Sequence, residues 1–179
     1  MFTILLTVLA VIVIVFLVAV ALRPAEFCVV RTASVAATPA ILFEQINDFH
    51  KWEAWSPWAR LDPAARNSFE GKSAGTGAAF AWSGNRKVGE GRMTITESRP
   101  SELIQMRLEF VKPFKATNTA AFTFKPEGDQ TVVAWSMAGQ NNFLSKAIGL
   151  FMNCDKMVGG QFETGLANLK QVTERAASS

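Results

Sequence analysis

The chain has 179 residues, with 18 basic, 15 acidic, one histidine, no tyrosine and a formal net charge of +3. Its charges are scattered rather than gathered into a stripe that tracks phosphates, which argues against a nucleic-acid partner. The two cysteines, Cys28 and Cys154, make no disulfide framework and no metal-ligand set, while five tryptophans and 14 phenylalanines supply an unusual aromatic content.

Residues 2–22 read FTILLTVLAVIVIVFLVAVAL, uncharged and with only Thr3 and Thr7 polar. As a helix the run spans about 31 Å, against a hydrocarbon core of about 30 Å. A secretory signal peptide is the competing reading, and Ala19 and Ala21 offer it a small-x-small cleavage site. It lacks the basic opening of a signal peptide, and its apolar stretch is too long. The sequence therefore predicts a single-pass anchor in residues 1–23 and a soluble domain in 24–179, large enough for one core. Arg23 and Arg31 follow the span, so the positive-inside bias points the domain to the cytoplasmic side. Cys28 lies in an apolar run and is expected to be a buried free thiol. A Cys28–Cys154 bridge would require an extracytoplasmic domain.

After Arg23-Pro24, residues 27–37 (FCVVRTASVAA) have the β-branched content of a strand. Thr38-Pro39 then reads as a helix N-cap with proline at the first helical position, and Leu42, Ile46 and Phe49 keep helical spacing. The segment WEAWSPW sets Trp52, Trp55 and Trp58 three residues apart, on a second helical turn that Pro57 stops.

From about residue 66 to 139, turn clusters separate short runs of period-two alternation. Phe80 and Trp82 share a face, as do Met93 and Ile95, then Ile104, Met106, Leu108 and Phe110. Phe122 with Phe124, and Val133, Trp135 and Met137, repeat the pattern. This predicts about six antiparallel strands with one apolar face. The C-terminal part is helical again. Leu144, Ile148 and Phe151 begin a stripe that Val158, Phe162, Leu166, Leu169 and Val172 continue, interrupted near Asn153-Cys154-Asp155. Gly159 and Gly160 would each cost that helix about 1 kcal/mol unless close packing offsets it.

Catalytic chemistry is sparse. His50 is more often a structural residue than a base in such a setting, and Asp155 reads as a helix cap with Asn153 as rival. Only if they face inward would either serve a reaction or anchor a ligand. Arg92 and Arg107 lie opposite the methionines in parity and are expected in solvent. No phosphate loop, nucleophile elbow or metal set is present, and no cofactor is implied. What remains is soft and aromatic apolar surface: Trp55, Trp58, Phe80, Trp82, Met93, Met106, Phe110, Phe122, Phe124, Trp135, Met137, Phe151 and Phe162, with Met152 and Met157 nearby. Such groups line adaptable pockets for apolar ligands, and these residues are the expected cavity wall.

The order of elements, the Trp55-Ser56-Pro57-Trp58 stretch with Asp62-Pro63, and the terminal GQFETGLANLK (160–170) resemble the START-like superfamily, also called SRPBCC. Over residues 25–175 the chain is most similar to its polyketide cyclase/dehydrase and lipid transport branch, including members with one N-terminal membrane helix. The resemblance implies an α+β helix-grip fold, a curved antiparallel sheet wrapped around a long C-terminal helix with a deep hydrophobic cavity between them. It implies a lipid, sterol, polyketide or similar apolar partner and carries over no catalytic residue. In the implied fold the tryptophan stretch packs over one end of the sheet, with Trp52 expected to be buried and the set suited to a core plug, then a cavity rim, then a membrane contact. The reading is a membrane-anchored binding module without chemistry of its own. A cyclase- or dehydrase-type enzyme and a regulatory partner of a membrane complex stand as alternatives.

Overall fold

Alternating apolar and polar residues build a sheet that is covered on one face. The computed structural model describes residues 1–177 and places seven such strands, among the described residues, in one antiparallel sheet. They are β1 (Glu26–Val35), β2 (Arg66–Gly71), β3 (Ala78–Ser83), β4 (Glu90–Arg99), β5 (Leu103–Lys112), β6 (Ala116–Glu127) and β7 (Gln130–Gln140). The spatial order is β1-β7-β6-β5-β4-β3-β2, so β2 to β7 form a meander and β1 closes against the last strand. The helices are α1 (Phe2–Ala21), α2 (Pro39–Asn47), α3 (Phe143–Ile148) and α4 (Cys154–Ala177). Two short 3₁₀ segments, Phe49–Ala54 and Pro57–Arg60, follow α2. This is the helix-grip α+β fold.

Local chemistry explains the boundaries. Thr38 holds an extended backbone ahead of Pro39, although its hydroxyl makes no capping bond. Asp48 caps the first 3₁₀ segment by accepting from the His50 amide. Pro57 does not simply end the helical stretch: it ends one 3₁₀ segment and opens the next, where its missing N–H costs nothing. Asn153 caps α4, its side chain accepting from the Lys156 amide at 3.0 Å. Asp155 is not the cap.

The core lies between the concave face of the sheet and the layer of α2, the 3₁₀ segments and α4. Trp135 of β7 stacks on Phe162 of α4, ring centroids 4.2 Å apart and planes 8° from parallel. Gly165 makes this approach possible, since a Cβ there would lie 2.7 Å from the Trp135 ring and 3.0 Å from Pro57. α4 runs mainly along β1 and the second 3₁₀ segment.

α1 is exposed over most of its length, with Val20 buried near its end, and it packs against α3. Cys28 is an exposed free thiol rather than a buried one: β1 turns Phe27, Val29, Ala33 and Val35 inward, so Cys28 falls on the outer face.

Candidate functional site

Cross-strand register orders the concave face into rows. Deep in the fold, Ile95, Met106, Ala120, Met137 and Val29 stand side by side, all buried. The next row is Phe80, Met93, Leu108, Asn118, Gly139 and Phe27. The outermost is Trp82, Gly91, Phe110 and Ala116. Coverage falls along this series: Phe27, Phe80, Trp82, Met93 and Phe110 are only half-buried. The concave face is thus sealed at one end and less covered at the other.

The tryptophan stretch makes the sealed end. In a 3₁₀ helix, side chains three apart eclipse one another. Trp52 and Trp55 accordingly lie together, centroids 4.7 Å apart, and both meet Phe122 and Trp135 edge to face. Their indole N–H groups donate to the carbonyls of Ile46 and Gln45 at 2.8 and 3.3 Å, which satisfies the only polar atoms they bury. Trp55 is fully buried and Trp52 nearly so, whereas Trp58 is half-buried against Trp135 and Phe162.

The thirteen residues expected to line a cavity therefore separate. Trp55, Met106, Phe122, Phe124, Trp135, Met137 and Phe162 are buried in the core. Trp58, Phe80, Trp82, Met93 and Phe110 sit at the less covered end. Phe151 belongs to neither group. It is 81% exposed in the turn after α3, because that helix stops at Ile148 and Gly149 instead of carrying the stripe onward. Met152 and Met157 are exposed with it.

Asn118 is the polar side chain that sequence reasoning missed. It is only 7% exposed, in the row with Leu108 and Phe27, and its amide Nδ2 meets Met137 Sδ at 3.8 Å. Gly139 opposite leaves the space it occupies, for a Cβ there would lie 2.1 Å from Asn118 Oδ1. Its parity with Ala120, Phe122 and Phe124 was the available signal.

The other polar candidates lie at the margins of this face or behind it. His50 stays at the β2 edge of this face: it bonds Asp48 Oδ1 through Nδ1 at 2.8 Å and stacks, ring centroids 4.0 Å apart, on Phe69, the cross-strand partner of Phe80. It edges a shallow surface depression of about 530 Å³ with Gln45, Lys51, Glu53 and Ala54. A second depression, about 350 Å³, lies along β2, β3 and β4 and includes Arg92 and Trp82. Arg92 and Arg107 are half-exposed and paired with Glu70 and Glu109. Asp155 bonds Arg31 at 2.9 Å, and Arg31 also reaches Glu163 at 2.6 Å. These bonds hold the Asp155 carboxyl below its ordinary range and push the Arg31 guanidinium up, chiefly through the hydrogen bond to Asp155. Gly159 gives Arg31 its passage, since a Cβ there would fall 2.1 Å from the guanidinium.

The sequence profile of the family described as Polyketide cyclase / dehydrase and lipid transport matches residues 26–174. No curated protein matches the chain in sequence. Protein CV1439 from Chromobacterium violaceum is similar in structure, with TM-score 0.59 and 13% identity, covering 85% of this chain and 99% of its own. MLL2253 from Mesorhizobium loti aligns at TM-score 0.59 and 19% identity, covering 83% and 98%. The di-domain ARO/CYC StfQ from the steffimycin biosynthetic pathway aligns at TM-score 0.64 and 13% identity, covering 87% of this chain and 53% of its own. At these identities the likeness shows the fold.

Proposed function

For a chain that belongs to the Polyketide cyclase / dehydrase and lipid transport family, we propose a membrane-anchored module that binds an apolar small molecule or lipid. The observation that carries it is the graded concave face: five half-buried apolar side chains beside a nearly buried amide whose Nδ2 meets the Met137 sulfur. The proposal narrows the site to that end. The stacked Trp135–Phe162 pair and Trp55 fill the other, so the ligand lies along Phe80, Trp82, Met93 and Phe110 rather than beneath the whole of α4. Asn118 gives it one polar anchor, suited to a hydroxyl or carbonyl oxygen, since Nδ2 is a donor and sulfur a weak acceptor. His50, on Phe69 at the β2 edge, and Asp155, paired with Arg31, are given no catalytic part in this reading.

The anchor is α1, long and apolar enough to cross a bilayer and mostly exposed. Tethering keeps the site near membrane-dissolved ligand.

Photo-crosslinking of the full chain in membranes with a diazirine-bearing fatty acid or sterol tests the reading. The expected adducts fall on β3 to β6, near Trp82, Met93 and Phe110. Asn118→Leu is expected to reduce them about tenfold, the loss of one buried hydrogen bond. Adducts confined to residues 2–22 would sink the ligand reading.

A further inference from the structure

We propose that the end of the domain beside α1 is a second membrane-contact surface. It sits on the interface of the bilayer that α1 crosses and turns the less covered rows of the concave face toward that bilayer. The inference rests on the anchor reading above.

Register fixes which parts share this end. Glu26, where β1 begins, pairs with Gln140, where β7 ends and the chain moves on to α3. Phe110 pairs with Ala116 across the β5–β6 turn, and Glu90 pairs with both Ser83 and Lys112. The exit of α1, the approach to α3 and two hairpin tips therefore lie together with the row of Trp82 and Phe110.

This end is apolar where an ordinary soluble surface is not. Phe114, Phe143, Leu144, Phe151, Met152 and Met157 are between 45% and 81% exposed. Isolated exposed apolar residues need no explanation, but a concentration at one end of a fold marks a contact surface. Basic residues share it: Arg23, Arg86, Lys87, Lys115, Lys146 and Lys156. The acids there are largely engaged, Glu90 by Lys112 and Asp155 by Arg31. Apolar side chains bordered by lysine and arginine match a bilayer interface, with rings in the acyl boundary and cations among phosphates.

The tether selects the bilayer over a protein partner. Residues 22–25 alone separate α1 from β1, a reach of at most about 18 Å. α1 also packs against α3, so the apolar patch continues directly from the span. With this end down, an apolar ligand moves from lipid to Phe110 and Trp82 without crossing water.

The full chain in vesicles of phosphatidylcholine with a minority of phosphatidylglycerol provides the test, in a Cys28→Ser, Cys154→Ser background. A nitrobenzoxadiazole label is placed in turn at Phe151→Cys, at Val11→Cys in α1, and at Asp129→Cys in the β6–β7 turn at the opposite end. Spin-labelled lipid is expected to quench the Phe151 label about threefold more than the Asp129 label, and iodide to reach only the latter. A Phe151 label that iodide quenches as it does the Asp129 label, beside a lipid-quenched Val11 label, overturns this proposal alone. A Val11 label open to iodide overturns the anchor, and the proposal with it.

Discussion

Gly160 and Gly165 lie on the same helix in opposite surroundings. A Cβ at Gly160 meets nothing within 4 Å, whereas one at Gly165 strikes the Trp135 ring and the Pro57 pyrrolidine, neither of which can yield. Gly160→Ala is therefore expected to stabilise the domain by up to about 1 kcal/mol through helix propensity. Gly165→Ala is expected to destabilise it by about 1–3 kcal/mol, because the ring stack must open. Chemical denaturation of both variants checks the pair. A stabilised Gly165→Ala would mean that α4 does not press on Trp135 as described. Gly159 is a third case, where the neighbour is the guanidinium of Arg31 and the space serves an ion pair rather than a ring.

That ion pair joins two elements, the edge strand β1 and the first turns of α4. The sign of its pH dependence follows from the direction of each shift. Asp155 is held low, so its contribution is complete above the ordinary carboxylate value of about 3.9 and is lost as pH falls through the depressed one. Arg31 is pushed up, so its share is present throughout the range below the ordinary guanidinium value. The start of α4 is expected to loosen from β1 below about pH 4. Amide exchange in α4, corrected for intrinsic rate, should show the step in the natural chain and none in Asp155→Asn. The same step in both would place its origin elsewhere. Elements were also where the sequence was most readable. Period-two alternation located the meander because each strand has one dry face, and Asn153 announced the interruption before α4. Three features escaped for physical reasons. Phe151 kept helical spacing, but periodicity does not register that Gly149 ends the helix. Arg31 and Asn118 stand at inward parity, yet a charge and an amide suggest solvent until a helix or a glycine opposite gives them room. The core plug expected of the tryptophan stretch is present, with Trp52 and Trp55 buried, although three-residue spacing allows the 3₁₀ winding that pairs them without requiring it.

At the scale of the whole molecule, the proposed anchor and ligand site raise the question of which side of the membrane the domain occupies. Arg23 and Arg31 follow the apolar run and only the α-amino group precedes it, so the positive-inside bias favours the cytoplasm. In the folded domain Arg31 is engaged by Asp155 and Glu163. Insertion precedes folding, however, and the unfolded segment presents both arginines. The outward-facing thiol of Cys28 supplies a reporter two residues into β1. In a Cys154→Ser background, a membrane-impermeant maleimide is expected to leave Cys28 unlabelled in intact cells and to label it after lysis. Labelling of intact cells would put the domain outside, and the ligand would then come from the outer leaflet. The proposed docking is the same in either case, because the short link from α1 to β1 would hold the same end of the sheet against whichever leaflet the domain faces.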